Sequence, residues 1–229
     1  MAPQGHDVLF SSTRLEVGRN FMNKLWNASR FVFMNLEKDK VPDIDLDKEA
    51  LDMPERWILS RLQKSLQAYN YQLDRFHFNE AAKILYDFTW NDFCDWYIEI
   101  SKTRFYGKDS LRANISRAVS IQVLRIVLAI LHPYAPFISE ELWVHIRKKS
   151  DSDLIVSPWP KFDESDLDEE AEKEMELLQE IITGIRTVRG RMNVPPIRKS
   201  TLIARCNNSM TKFLQAHQTI ILTLAQTSS

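Results

Sequence analysis

Glycine is scarce in this chain, 5 of 229 residues, and cysteine scarcer still at 2. So few glycines leave little material for a loop that cradles phosphate on bare backbone. No glycine-rich phosphate loop, no GxSxG and no HExxH occurs. Cys94 and Cys206 lie far apart, without His or Cys at metal-ligand spacing, which argues against a disulfide framework and against a zinc site. A reducing cytoplasm is the expected location. No charged segment followed by an apolar run opens the chain, so no signal peptide is expected. The longest apolar stretch, Val119 to Leu131, is interrupted by Gln122 and Arg125 and is short for a bilayer, so it reads as a buried helix and no membrane partner is expected. The histidines are isolated, and His132, before Pro133, reads as a core or capping residue. Asp92, Asp95 and Glu99 recur at steps of three and four. Among aromatics and without histidines they read as polar anchors of a helix, not as a metal site or an acid–base pair. Neither a catalytic residue nor a resident metal is expected.

What is present favours helices. With 44% hydrophobic and 27% charged residues, many of them Leu, Glu, Lys and Arg, the chain reads as helices joined by short turns. Pro54 suits a first helical turn, and Trp57, Ile58, Leu62, Leu66 and Tyr69 continue a helix to about Leu73. Asn79 is a plausible N-cap for a third helix running to Phe105, with aromatics on most sides as befits the middle of a bundle. A fourth runs from about Leu111 to His132, and Ser139 is expected to cap a short fifth. The segment around Pro158, Trp159 and Pro160 reads as a crossing stretch that lays one tryptophan back on the bundle. Beyond it Met175, Leu178, Ile182, Ile185 and Val188 have core spacing, STLIARC alternates as a probable strand, and NSMTKFLQAHQTIILTLAQ reads as one helix. A lone strand needs partners, expected either beyond Ser229 or in poor pairing here. Charge is uneven: residues 163–180 are acidic, whereas Arg186, Arg189, Arg191, Arg198 and Lys199 form a basic run that suits either an anionic partner or a solvated helix face.

The first helix, Arg14 to Leu36, organises the rest. Leu15, Gly18, Met22, Leu25, Ser29, Val32 and Leu36 form its expected core stripe. On another face Asn20, Lys24, Asn27 and Phe31 are neighbours, with Arg14 further toward the N-terminus. Cations and amides around one ring are the residue types that hold a phosphate backbone and stack an unpaired base. A ring packed under a neighbouring loop is the plainer alternative.

The segments RNFMNKLWNASRFVFMNL, RWILSRL, FNEAAKILYDFTWNDFCDWYIE, LHPYAPFISEELW and IRTVRGRMNVPP, in that order, resemble the C-terminal half of the valyl-tRNA synthetase family of class Ia. Isoleucine and leucine relatives share the NKLWN and HPxxPFxxEELW patterns, whereas FxWNDFCDWYIE with RMNVPP is closest to the valine type. The resemblance implies an all-α fold, a helical anticodon-binding bundle over residues 1–160, followed by the start of a truncated α+β domain over 161–229. The HIGH-like and KMSKS-like motifs are missing. The chain is therefore expected to be a piece of a longer enzyme that attaches valine to its tRNA with ATP, inactive alone and without a cofactor of its own. Its implied partners are the anticodon loop of valine tRNA and the other domains of the same polypeptide, with the piece itself a monomer. Carried onto this sequence, the family's loop-contacting positions are Lys24, Phe31, Ile98 and Glu99, with Thr13 or Arg14 at the basic position before the first helix. Asn27 joins them on the same face, and Arg19 is a further phosphate candidate. The alternatives are the same domain of an isoleucine or leucine relative, or a helical scaffold that docks protein.

Overall fold

The computed structural model describes residues 12–36, 50–195 and 197–228; the side chain of Arg14 lies outside that description, as do the opening stretch and the charged loop around Pro42. The chain divides into two compact units, one ending at Asp168 and the other starting at Glu169.

The first unit is helical. Helix α1 spans Ser12–Met34, α2 Met53–Leu73, α3 Phe78–Asp87, α4 Ile98–Phe105, α5 Ser110–Leu131 and α6 Pro136–Val144. Between α3 and α4 the backbone continues without a break as a π-helix, Phe88–Tyr97, in which the amide of Ile98 reaches back to the carbonyl of Phe93. The expected third helix is thus a single rod with a widened middle. It starts at Phe78 rather than after Asn79, whose side chain turns to Glu80 Oε1 at 3.1 Å and caps nothing. Pro54 sits in the first turn of α2, where a missing amide hydrogen costs nothing. Asp109 caps α5 by accepting from the Arg112 amide at 3.1 Å. By length and composition α5 could cross a membrane, but Val119, Ile121, Val123, Leu124, Val127 and Leu128 are fully buried among its neighbours, which makes it the bundle's central helix. Ser139 is not the cap of α6: the helix begins at Pro136, and the Ser139 hydroxyl lies inside it, bonded to Ala135 O and to His132 Nδ1 at 2.8 Å. Proline at the first turn outcompetes the serine three residues on because its φ is already helical.

Alternation of buried and exposed positions along α1 departs from the expected stripe. Leu25, Ser29 and Val32 are buried as expected, joined by Phe21 and Ala28, but Leu15 is 61% exposed and Gly18 is exposed too. The first two turns of α1 continue the helical period, but no neighbour among the described residues buries them.

The crossing segment belongs to the first unit. It contains short 3₁₀ turns at Leu154–Val156 and Glu164–Asp166, and α2 fastens it along its length. Trp159 donates to Asn70 Oδ1 at 3.0 Å and stacks on Tyr69; the amides of Asp163 and Asp168 bond Gln63 Oε1 and Ser60 Oγ, at 3.0 and 2.9 Å. Arg56 closes it on Asp168 at 3.1 Å. The first unit therefore ends later than residue 160.

In the second unit α7, Glu169–Arg191, packs Ala171, Met175, Leu178 and Ile182 inward, while α9, Gln218–Leu224, packs Ile220, Ile221 and Leu224 inward. Val188, expected in the core, is 56% exposed, and Arg189 beside it is buried instead. The expected last helix is two, α8 (Asn208–Ala216) and α9, broken at His217, whose Nε2 donates to Glu174 Oε1 at 2.8 Å. Two-residue strands β1 (Ser200–Thr201) and β2 (Thr227–Ser228) pair in parallel, Ser200 opposite Thr227. The partner of β1 thus lies within this chain. Parallel strands need a helical crossover, which α8 and α9 provide, and the expected strand meets its neighbour at its start: Ser200 and Thr201 pair, the Leu202 amide donates to Ser228 O at 3.1 Å, and Ile203 beyond them is 81% exposed.

Candidate nucleic-acid interface

The C-terminal half of α1 lies beside the π-helix and α4, and contacts advance in the same direction along both. At the upstream end Lys24 is half-buried, its Nζ 2.5 Å from Asp95 Oδ1 and 3.8 Å above the centre of the Trp90 ring. That ring stacks on Tyr86, which stacks on Phe21 of α1. At the downstream end Phe31 stacks on Phe105 at 5.6 Å between centroids, with Lys102 Nζ 5.5 Å from its ring centre. Lys102 in turn bonds Glu99 Oε1 at 2.5 Å. Asn27, one turn from each anchor point, is exposed.

Lys24, Phe31 and Glu99 are therefore brought together along one strip, with Asn27 between the first two on α1, but in different roles. Phe31 is half-buried. Glu99 is 39% exposed at its side chain. Ile98 is 4% exposed: its side chain turns inward and offers no surface to a partner, because the helical face that presents Glu99 turns the preceding residue to the core. Arg14 falls in the first turns of α1, with its side chain outside the described residues. The acidic trio is anchored as its composition suggested, Asp92 on Arg61 at 2.9 Å, Asp95 on Lys24 and Glu99 on Lys102, each cation partnering one carboxylate.

Several residues at this end were not singled out from the sequence. Lys102 and Phe105 were legible only as the cationic, aromatic end of a helix, whereas they hold Phe31; Tyr106, at the end of α4, is 74% exposed. Arg117 of α5 donates to Asn35 O at 2.6 Å, and Asn35 Nδ2 donates to Phe31 O at 2.9 Å, so the end of α1 is tied down.

An ionic network gathers around one buried carboxylate, Glu55. Glu55 of α2 is fully buried, with Arg104 NH1 3.0 Å from its carboxylate and also 3.0 Å from Asp52, which Arg112 pairs as well. Ser116 Oγ donates to Glu55 at 2.7 Å, and the hydroxyl of buried Tyr97 points to Ser116 O at 3.4 Å. Burial raises the Glu55 carboxyl above its ordinary value, against the opposing pull of Arg104 and of the hydroxyl donors. The arrangement joins α2, α4 and α5; Glu55, Tyr97 and Ser116 are buried within it, whereas Asp52 and Arg112 at its edge reach solvent.

Residues 55–205 match the family model described as the anticodon-binding domain of tRNA ligase. The chain is 44% identical over 209 residues to a valine–tRNA ligase of Syntrophotalea carbinolica, covering 91% of this chain and 23% of that protein. It is 40% identical to the valine–tRNA ligases of Enterococcus faecalis, over 93% of this chain and 24% of the relative, and of Carboxydothermus hydrogenoformans, over 97% and 25%. The chain thus spans about a quarter of the length of these relatives. A solved LeuRS–tRNA–LeuAMS ternary complex of Agrobacterium radiobacter K84 aligns over 70% of this chain and 18% of that one, at 19% identity and a TM-score of 0.48.

Proposed function

Because this chain belongs to the anticodon-binding domain family of tRNA ligases, we propose that its bundle holds the anticodon loop of valine tRNA within a longer ligase that joins valine to that tRNA with ATP. The observation that carries the reading is Phe31, held half-buried between Phe105 and Lys102 beside exposed Asn27 and half-buried Glu99. RNA loops are read by stacking unpaired bases on rings and by hydrogen bonds to base edges. Phe31 offers its free part to one base, and Asn27 and Glu99 offer an amide and a carboxylate to base edges. Ile98 supports Glu99 from behind. Arg14 and Arg19 take phosphates, and Lys24 does so by exchanging Asp95 for a phosphate oxygen while keeping the Trp90 ring beneath it. The piece acts as a monomer in the cytoplasm and needs no cofactor of its own, ATP being consumed elsewhere in the longer protein.

The test is binding of anticodon stem-loops of valine, isoleucine and leucine tRNA to the protein and to Phe31→Ala. The variant is expected to lose about 1–3 kcal/mol of valine stem-loop binding, while unfolding in urea costs it less than the ~3–5 kcal/mol of a fully buried phenylalanine. If the variant unfolds but its folded fraction binds as before, Phe31 is a packing residue. Equal binding of the three stem-loops would remove the valine assignment, and binding of none would leave the scaffold reading.

A further inference from the structure

The second unit keeps its charges apart. Glu169, Glu170, Glu172, Glu174, Glu176 and Glu180 lie on the first half of α7, and after Glu180 no Asp or Glu follows as far as Ser229. Two of the arginines that do follow are turned to internal work. Arg186 Nε donates to Leu224 O at 2.9 Å, and Arg189, 8% exposed, donates to Ser200 Oγ at 3.1 Å, Pro195 O at 3.3 Å and Arg198 O at 2.8 Å.

Those three bonds of Arg189 hold the turn that ends α7. Asn193 takes a left-handed conformation, φ 51°, and the amide of Val194 reaches back to Arg189 O at 3.0 Å. Asparagine tolerates that conformation better than most residues, and the pattern is a helix C-terminal cap. A second turn closes from Arg198 N to Pro195 O at 3.0 Å. From this built support Arg191, Arg198, Lys199 and Arg205 all project exposed.

Two further features say what such a surface fits. Its own segment, from residue 181 to Ser229, carries no carboxylate to oppose an anion, and between Glu180 and Phe213 there is no aromatic residue to stack a base. Its exposed apolar side chains, Met192, Ile197 and Ile203 among them, carry no ring. Guanidinium groups grip phosphate through paired donors. Cations without rings match the backbone of a base-paired stem, whose bases are already stacked and whose phosphates are regularly spaced. The acidic half of α7 repels the same polyanion and so favours one orientation of this unit against it.

We infer that Arg191, Arg198, Lys199 and Arg205 form a sequence-independent contact to the phosphate backbone of an RNA stem, with Arg189 as the residue that positions it. The inference rests on the reading of the chain as an RNA binder, but concerns a surface separate from the loop-reading strip.

The experiment measures binding of whole valine and leucine tRNA transcripts across a salt series, for the protein, for R191Q/R198Q/K199Q/R205Q and for Phe31→Ala. Each lost phosphate contact removes about 0.9 from the slope of log K against log salt. The quadruple variant is expected to lower that slope by about 2 to 4 and to weaken both tRNAs alike by tenfold or more at low salt, with an unchanged melting curve because the residues are exposed. R191K/R198K/R205K should keep the slope. Phe31→Ala should reduce the preference for the valine transcript and leave the slope alone. If the protein prefers neither transcript while the quadruple variant still loses its slope, the loop reading fails and the stem contact stands. Wild-type affinity and slope in the quadruple variant would overturn it, and is the result expected if this surface serves an acidic protein.

Discussion

Lys24 is held by two unlike attractions, the Asp95 carboxylate and the face of the Trp90 indole. An exposed ion pair alone contributes about 0.2–1 kcal/mol, and a cation over an indole about 0.5–2, so the ring matters at least as much as the acid. The sequence placed Lys24 and Phe31 on one face of α1 correctly, because helical spacing is local. It could not show that both are half-buried, since Trp90, Asp95, Lys102 and Phe105 come from a helix far along the chain. The same limit explains Leu15 and Leu25, which occupy one stripe but differ in surroundings, 61% against 0% exposed. Leu25→Ala should therefore destabilise the fold by about 2–5 kcal/mol, and Leu15→Ala by no more than about 0.5. Urea unfolding of the two variants measures the difference; equal losses would place Leu15 in a core after all.

At the scale of elements, Glu55 ties α2 to α4 and α5 through Arg104 and Ser116. Its carboxyl is raised by burial, so in the folded protein it binds its proton more tightly than in the unfolded chain. Folding therefore takes up a proton as pH rises past the ordinary glutamate value, and the stability contributed by this group is complete below that value and lost as pH rises through the folded one. The expected outcome is that Glu55→Gln removes this component: stability of the wild type relative to the variant falls as pH rises through that window, measured by urea unfolding at stepped pH. A constant difference would mean that Arg104 compensates the burial fully. Which elements could be read in advance follows from where their signals lie. Helices α2 and α5 announce themselves by Pro54 and by long apolar periods, whereas the start of α6 was obscured by two competing start signals, Pro136 and Ser139. The pairing of β1 with β2 depends on residues far apart in sequence and so was not legible from either segment.

Across the whole chain, the first unit closes on itself through the segment that α2 fastens before α7 begins. The prolines around Trp159 mark where the chain leaves the α6 region, and its packing on α2 continues past them to Asp168. The π-helix between α3 and α4 has a consequence of another kind, for how the chain tolerates changes of length. Its hydrogen bonds span five residues instead of four, so it stows more residues in a given rise than an α-helix does. Removing one exposed residue there, Asn91, lets the segment relax toward α while the rods on either side keep their facing. The same deletion at exposed Lys83 in α3 has no such slack and swings everything beyond it by about 100°. Deleting Asn91 should accordingly cost less stability in thermal unfolding than deleting Lys83, and the reverse order would mean that the wide turns are a fixed part of the core. A residue lost at Phe88–Tyr97 is then absorbed locally, and the rod can shorten there without turning Phe105 away from Phe31.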